Sequence, residues 1–163
     1  MPNTALTMEQ ILTMLATGPP RIAALTAGLA LTQLHIPPNA GEWSANDVLA
    51  HLRSCADVWG YCIATIIAED KPTIRAVNPR TWIKKTDYLE QEFQPSLHAF
   101  TMQRTELLAV LESLAPEDWS REATVTGAGK ALERTVLSYA EWMATHERPH
   151  LKQIERIVST MRR

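Results

Sequence analysis

The sequence is poor in cysteine, in glycine and in any excess of basic charge. Its 163 residues include two cysteines and six glycines, and 16 basic side chains stand against 18 acidic ones, for a net charge of -2. Nucleic-acid binding needs a basic surface to neutralise phosphates, so this balance argues against that class of protein. Cys55 and Cys62 stand in one predicted helix, roughly 10.5 Å apart along its axis, and a disulfide cannot span that distance. Both are expected to be free thiols.

The sequence also lacks a long hydrophobic run. The longest uncharged stretch, 22–41, opens with only about ten apolar residues, whereas a membrane span needs about 20. Residues 1–4 carry neither the basic segment nor the small-residue cleavage site of a signal peptide. Free thiols together with these absences predict a cytoplasmic protein with no membrane partner.

Length and composition indicate one globular domain. Hydrophobic residues make up 45% of the chain and charged residues 21%, close to the globular average, which excludes a disordered chain. A chain of this length hides roughly 70% of its unfolded surface on folding, enough for a core without disulfides or a structural metal. We therefore expect residues 1–163 to form a single domain.

Apolar residues recur at helical spacing through most of the chain. Capping residues, prolines and apolar stripes predict helices over 7–17, 19–28, 44–69, 95–114 and 135–161. The segments 31–42 and 71–91 are expected to be irregular, and Gly127-Ala128-Gly129 indicates the tip of a small hairpin. The expected fold is all-α, an antiparallel four-helix bundle with an extra short N-terminal helix.

Three ionisable residues fall in or beside the apolar stripe of the last predicted helix. His146, Glu147 and His150 lie within about one turn, and buried polar groups need partners because burying them unpaired is costly. Histidines at positions i and i+4 lie one above the other and can bind the same ion. The stretch also matches the H-E-x-x-H zinc protease signature. We reject that interpretation, because Gln153 and Arg156 stand where its variants carry a further ligand.

A third ligand must come from another helix, and His51 is the best candidate because it faces inward near one end of helix 44–69. Three histidines leave positions open for water or substrate. His35, in a loop, and His98, alone on its helix, rank lower. In the simpler alternative His51 is a core residue whose hydrogen bonds are made within the protein. Cys55 is most simply a small buried hydrophobic residue, and the alternative is a soft metal ligand or a redox thiol. On the first interpretation we expect both cysteines to be dispensable for metal binding.

Two motifs resemble the DinB/YfiT-like superfamily of metal-binding four-helix bundles. Residues 41–52, GEWSANDVLAHL, resemble the family pattern G-E-W-S-x-x-E-V-L-A-H-L. Residues 146–154, HERPHLKQI, resemble H-[DE]-x-x-H-x-x-Q-I. The resemblance implies a divalent ion, nickel or zinc, bound by the three histidines singled out above. Asp or Glu is common in the family at the position of Glu147, which fits a side chain that orients a ligand, and a role as general base is the alternative.

The resemblance leaves three kinds of function open. The family includes S-transferases and isomerases that use low-molecular-weight thiols, members proposed to be metal-dependent hydrolases, and many without known activity. We expect first a thiol-dependent S-transferase, in which the ion lowers the pKa of a thiol that attacks a small electrophile. The alternatives are a hydrolase with metal-activated water and a non-catalytic metal-binding or small-molecule-binding protein. Family habit and the apolar excess of residues 11–31 favour a homodimer.

Overall fold

Four long helices and a small sheet make up the computed structural model, which describes residues 5–163. The helices, in chain order, are α1 (Met8–Thr26), α2 (Leu31–His35), α3 (Ala45–Ala68), α4 (Pro79–Trp82), α5 (Phe93–Ser113) and α6 (Val136–Met161). The strands are β1 (Thr73–Arg75), β2 (Glu122–Thr126) and β3 (Leu132–Thr135), and 3₁₀ turns cover Ile83–Lys85 and Pro116–Ser120. Residues 1–4, where no signal peptide is predicted, lie outside the described residues. Within 5–163, no helix is long and apolar enough to cross a membrane.

The four long helices form a bundle in which α1 and α3 occupy opposite corners. Each of these two packs against both α5 and α6. Two apolar clusters fill the interior, one next to the sheet around Ile63 and one around Phe93. Along α3 and α6 the border between the clusters falls near residues 51–55 and 146–150. Polar side chains at these positions therefore lie between two apolar blocks.

The starts of three long helices agree with the sequence prediction. Thr7, Ser44 and Thr135 each accept a hydrogen bond from the backbone amide three residues later, and each forms a capping box. These bonds satisfy donors that the first turn of a helix leaves free, and the residues that provide them are recognisable locally. As a result these three helices begin close to their predicted starts, and α5 also lies close to its predicted limits although it has no side-chain cap.

The N-terminal segment differs from the prediction of an extra short helix. Gly18-Pro19 is expected to end that helix, but α1 continues through it as one helix. Pro19 has no N–H to donate to the carbonyl oxygen of Leu15, the usual cause of a helix break. Arg104 on α5 donates to that oxygen instead, at 2.9 Å. A tertiary hydrogen bond thereby replaces the missing helical one.

The prediction of an all-α fold is wrong in one respect, because a three-stranded sheet is present. β1 pairs in parallel with β2, and β2 pairs in antiparallel with β3. The β2–β3 hairpin matches the predicted one, and Gly127 and Gly129 near its tip have φ of 87° and 80°, which glycine adopts without steric cost. β1 escapes prediction because a three-residue strand shows no period and forms by pairing with a strand distant in sequence.

The two segments expected to be irregular also contain short elements. α2 lies within 31–42, while β1, α4 and a 3₁₀ turn lie within 71–91. Elements of this length are shorter than the repeats by which sequence periodicity reveals a helix or strand. Of these elements, α4 contributes Arg80 to the cleft described next.

Candidate metal centre

Three imidazole rings meet between the two apolar clusters. His51 lies in the second turn of α3, and His146 and His150 lie about one turn apart on α6. The Nε2 atom of His146 is 3.4 Å from Nε2 of His51 and 3.3 Å from Nε2 of His150. The rings of His51 and His150 are also adjacent, with centroids 4.8 Å apart. The structure brings together all three histidines that the sequence singles out.

The spacing of the Nε2 atoms fits a metal ion. Metal–nitrogen bonds of about 2.0–2.1 Å at tetrahedral angles place two ligand nitrogens about 3.3 Å apart. Both distances from Nε2 of His146 are close to that value. Hydrogen bonds explain the arrangement less well, because a neutral imidazole has one N–H and this Nε2 faces two other nitrogens.

A hydrogen bond of His150 determines which of its nitrogens carries the proton. Its Nδ1 lies 2.9 Å from Oε1 of Gln153, which is an acceptor, so we assign the proton to Nδ1 and a lone pair to Nε2. Nδ1 of His146 is buried and has no hydrogen-bond partner among residues 5–163. With a lone pair on Nε2 of His150 and at most one proton on Nε2 of His146, the cluster cannot form good hydrogen bonds in both contacts of His146, and a cation would relieve that cost.

Burial keeps two of the imidazoles neutral. It is the main cause that lowers the pKa of His51 to about 4, with positive charge on His150, on His146 and on Arg80 adding to the effect. The pKa of His146 is lowered to about 4 by burial first, then by His150 and Arg80. Near pH 7 both rings are uncharged, which is the form that binds a metal ion.

Two tryptophans form an apolar wall around the histidines. Trp59 meets the ring of His146 edge to face, with centroids 5.0 Å apart. Trp43 lies 5.2 Å from the ring of His51 and stacks on His150 at 6.4 Å. An apolar shell of this kind limits the access of water and strengthens electrostatic interactions inside it.

Cys55 adds a sulfur atom to the cluster. Its Sγ lies 3.6 Å from Nε2 of His51, and the donor atoms of His51, Cys55 and His146 all lie within 4.8 Å of one another. Burial, with the negative charge of Glu147 adding to it, raises the pKa of the thiol to about 12. The sequence favours a buried hydrophobic role for Cys55. The signal for another role is its four-residue spacing from His51, which equals that between His146 and His150.

Glu147 follows His146 in sequence but points towards a different helix. Arg104 on α5 donates hydrogen bonds to both of its carboxylate oxygens, and both side chains are almost inaccessible to solvent. In residues 5–163 this carboxylate makes no hydrogen bond to an imidazole. Adjacent residues on a helix point about 100° apart, and the carboxylate of Glu147 contacts Arg104 rather than a histidine; its role as an orienting group or a base stays a prediction.

A cleft of about 590 Å³ opens beside His150. Its walls come from the loop before α3, from α4 and from α6, and they include Glu42, Arg80 and Arg156. Both arginines are exposed, and neither forms an ion pair within the described part of the chain. Two positive charges against one carboxylate give the cleft a positive balance next to the histidines.

The two remaining histidines lie outside the cluster. Nε2 of His35 accepts a hydrogen bond from the backbone N–H of Phe93 at 3.2 Å, at the start of α5. His98 is exposed on α5. Their positions agree with their lower rank as candidate ligands.

Comparisons with known proteins agree with these features. The protein-family model of the DinB superfamily matches residues 14–154, a span that includes the three clustered histidines. A protein of Geobacillus thermodenitrificans named "Putative metal-dependent hydrolase" is 29% identical over 143 residues, covering 83% of this chain and 75% of the relative. A Geobacillus kaustophilus protein with the same description is 27% identical over 142 residues, with the same shares.

A solved structure shares the fold. YfiT from Bacillus subtilis, described as "a probable metal-dependent hydrolase with an unusual four-helix bundle topology", matches with a TM-score of 0.73 over 96% of this chain and 91% of its own. The two sequences are 19% identical, so this likeness shows the architecture alone.

Proposed function

The chain belongs to the DinB superfamily, and we propose that it is a metal-dependent enzyme whose divalent ion is held by His51, His146 and His150. The observation that carries this proposal is that Nε2 of His146 lies at the spacing of metal ligands from Nε2 of His51 and from Nε2 of His150. The names of the two Geobacillus relatives support metal dependence. Imidazole ligands suit zinc or nickel better than magnesium or calcium.

The residues around the proposed metal ion suit it to activating a nucleophile. When bound, the ion would supply an activated nucleophile by lowering the pKa of a water molecule or a thiol. Gln153 holds the ring of His150 so that Nε2 faces the other histidines. Trp43 and Trp59 shield the rings from bulk water, and the cleft beside His150 admits the substrate.

The charges in the cleft favour an anionic substrate. Arg80 and Arg156 outnumber the carboxylate of Glu42, and a bound divalent cation would add to the positive potential. Guanidinium groups bind carboxylates and phosphates through paired hydrogen bonds. We infer that the substrate is a small molecule with a carboxylate or phosphate group. Arg80→Ala should therefore raise KM for anionic substrates more than for neutral ones of the same size.

Hydrolysis is the reaction we place first, ahead of the thiol S-transfer expected from the sequence. Both curated relatives are named as metal-dependent hydrolases. Thiol S-transfer is the second candidate, because the cleft has room for a thiol co-substrate and its arginines would bind the carboxylates that many such thiols carry. Nickel or zinc as the ion and a homodimer as the assembly stay predictions.

Glu147 is best explained as a structural residue. Its carboxylate is engaged by Arg104, and a general base must lie within hydrogen-bond reach of the proton that it removes. This supports a role in joining helices over the role beside the metal that is predicted from the sequence.

The experiment is a parallel assay of water-dependent and thiol-dependent turnover. Chelator-treated protein is reloaded with Zn²⁺ or Ni²⁺ and incubated with one panel of anionic esters, amides and alkylating electrophiles, with and without a low-molecular-weight thiol. A hydrolase forms product without thiol, whereas an S-transferase consumes thiol in proportion to the electrophile lost. Metal binding without either activity would instead favour a non-catalytic binding protein.

Two variants control this assay. His146→Ala should lose both metal and activity, whereas His98→Ala, which changes an exposed histidine on α5, should behave like the wild type. Turnover that persists in metal-free protein or in His146→Ala would contradict the proposed function.

A further inference from the structure

Cys55 is a buried side chain of the cluster that the proposed function does not use. It lies on α3 one turn after His51 and is 2% exposed. Its Sγ contacts Nε2 of His51 at 3.6 Å. A thiol is a weak hydrogen-bond donor and acceptor, so this contact gives the imidazole little compensation for burial.

The position of the sulfur fits a shared ion as well as it fits a weak thiol hydrogen bond. A zinc–sulfur bond of about 2.3 Å and a zinc–nitrogen bond of about 2.0–2.1 Å at a tetrahedral angle place sulfur and nitrogen about 3.6 Å apart. The observed Sγ–Nε2 distance has that value. The nitrogen–nitrogen distance from His51 to His146, 3.4 Å, fits the same centre, and all three donor atoms lie within 4.8 Å of one another.

We propose that Cys55 is a ligand of the metal ion, together with His51 and His146. The inference rests on the metal centre of the proposed function but not on the reaction catalysed there. It replaces the expectation that both cysteines are dispensable for metal binding. With the three histidines of the proposed function Cys55 makes four protein ligands, so a water molecule or substrate would take a fifth position, as catalytic zinc sometimes allows.

Ligation requires that Cys55 lose its proton. The S–H bond breaks as the bond from sulfur to the ion forms, the proton passes to solvent, and no atom is oxidised or reduced. Burial disfavours a free thiolate at this position, but a bound cation supplies the compensating charge, since a coordinating thiol is deprotonated. A soft thiolate beside imidazoles favours Zn²⁺ or Co²⁺ over Mg²⁺ or Mn²⁺.

Cys62 provides a matched control on the same helix. It is also buried and free, and burial raises the pKa of its thiol as well. It lies about two turns beyond Cys55, against Tyr139, and is not part of the donor cluster. Replacing Cys62 therefore tests the effect of losing a buried thiol without touching the site.

The test uses Co²⁺ as a probe, because a thiolate ligand gives a sulfur-to-cobalt charge-transfer band that a site of histidines alone lacks. Full-length wild type, Cys55→Ala, Cys55→Ser and Cys62→Ala are freed of metal, titrated with Co²⁺ and then competed with Zn²⁺. We expect the band in the wild type and in Cys62→Ala, and its loss in both Cys55 variants. Zn²⁺ affinity in those variants should fall at least about tenfold, since even the loss of a residue that supports a ligand costs that much.

A second measurement needs no variant. Zn²⁺ should slow the alkylation of Cys55 by iodoacetamide in the wild-type protein, measured by peptide mass spectrometry, more than it slows that of Cys62, which shares only the general stabilisation of the fold. Equal protection of both thiols would indicate general stabilisation rather than ligation and would count against the proposal.

The outcomes separate this inference from the proposed function. Co²⁺ binding without a charge-transfer band, or a band that survives in Cys55→Ala, overturns the role of Cys55 and leaves the histidine centre in place. A wild type that binds neither Co²⁺ nor Zn²⁺ overturns both proposals. Circular dichroism checks folding, and Cys55→Ser, which nearly keeps the volume of the side chain, replaces Cys55→Ala if the latter unfolds.

Discussion

Two neighbouring residues of α6 belong to buried polar clusters that differ in how completely they are paired. The carboxylate of Glu147 receives hydrogen bonds from Arg104, and the same guanidinium donates to the carbonyl oxygen of Leu15 on α1. His146, one position earlier, faces nitrogens of two other histidines and leaves its own Nδ1 without a partner in residues 5–163.

The difference in pairing distinguishes a cluster that stabilises the fold from a cluster that can bind a ligand. A buried charge that finds all its partners within the chain holds helices together and needs nothing further, and removing one partner is costly. A cluster of imidazole nitrogens with too few protons to pair is costly to bury by itself and becomes favourable when a cation binds it. On this reasoning the Glu147 cluster joins α1, α5 and α6, whereas the incomplete pairing of the His146 cluster supports the proposed metal site.

The largest effect is expected for the histidine cluster. His146→Ala removes the nitrogen that lies closest to both other rings, so stoichiometric binding of Zn²⁺ or Ni²⁺ in calorimetry should be lost, a decrease of more than about 100-fold, beyond the cost of losing a supporting residue. The unfolding free energy of the metal-free protein should change little. An affinity equal to that of His98→Ala would show that His146 is not a ligand.

The next largest effect, on stability, is expected for the ion pair between Arg104 and Glu147. Glu147→Leu or Arg104→Met should each lower the unfolding free energy in urea by about 3–5 kcal/mol, because each leaves a buried charge without its partner. The double variant should recover part of that loss, since it buries no uncompensated charge but still leaves the carbonyl oxygen of Leu15 without the hydrogen bond from Arg104.

The Zn²⁺ affinity of the Glu147 variant tests whether the ion pair and the histidine cluster act independently. Folded Glu147→Leu should bind Zn²⁺ within about tenfold of the wild type, below the 10–100-fold loss typical of a residue that supports a ligand. A loss of about tenfold or more would return Glu147 to the role beside the metal that is predicted from the sequence.

A smaller effect on affinity is expected at Gln153, which positions His150. Gln153→Leu removes the acceptor for Nδ1–H of His150, so Zn²⁺ affinity should fall about 10–100-fold while the ligand itself remains. Lys152→Leu, at the neighbouring exposed position, is the control and should leave affinity unchanged. If both variants bind alike in calorimetry, the hydrogen bond of Gln153 does not support the site.

The smallest effect is expected from two glycines. A Cβ at Gly18 would lie 2.7 Å from Oε2 of Glu147, which the ion pair holds in place, whereas nothing lies within 4 Å of a Cβ at Gly60. Gly18→Ala should therefore lower the unfolding free energy by about 1–2 kcal/mol. Gly60→Ala, within α3, should raise it by about 0.5–1 kcal/mol. Thermal denaturation of both variants measures the contrast, and equal shifts would mean that the carboxylate is free to move.

Much of the architecture could be predicted because its signals are local. Thr7, Ser44 and Thr135 bind backbone amides three residues away, so helix starts are encoded within one turn. Apolar periodicity then determines which face of each long helix is buried. The inward positions of His51, His146 and His150 follow from the same periodicity, and this is why the sequence could single out the three histidines.

Tertiary structure decided the features whose partners are distant in the chain. α1 continues through Pro19 because Arg104, on another helix, bonds the carbonyl oxygen that proline leaves free. β1 exists because β2 pairs with it. The same rule governs the site. Periodicity places Glu147 in the buried face, but only the packing of both α5 and α6 against α1 brings Arg104 to its carboxylate. In the same way, the packing of α3 against α6 brings Cys55 close to His146. A helix period determines the direction in which a side chain points, and the neighbouring helix determines what it meets there.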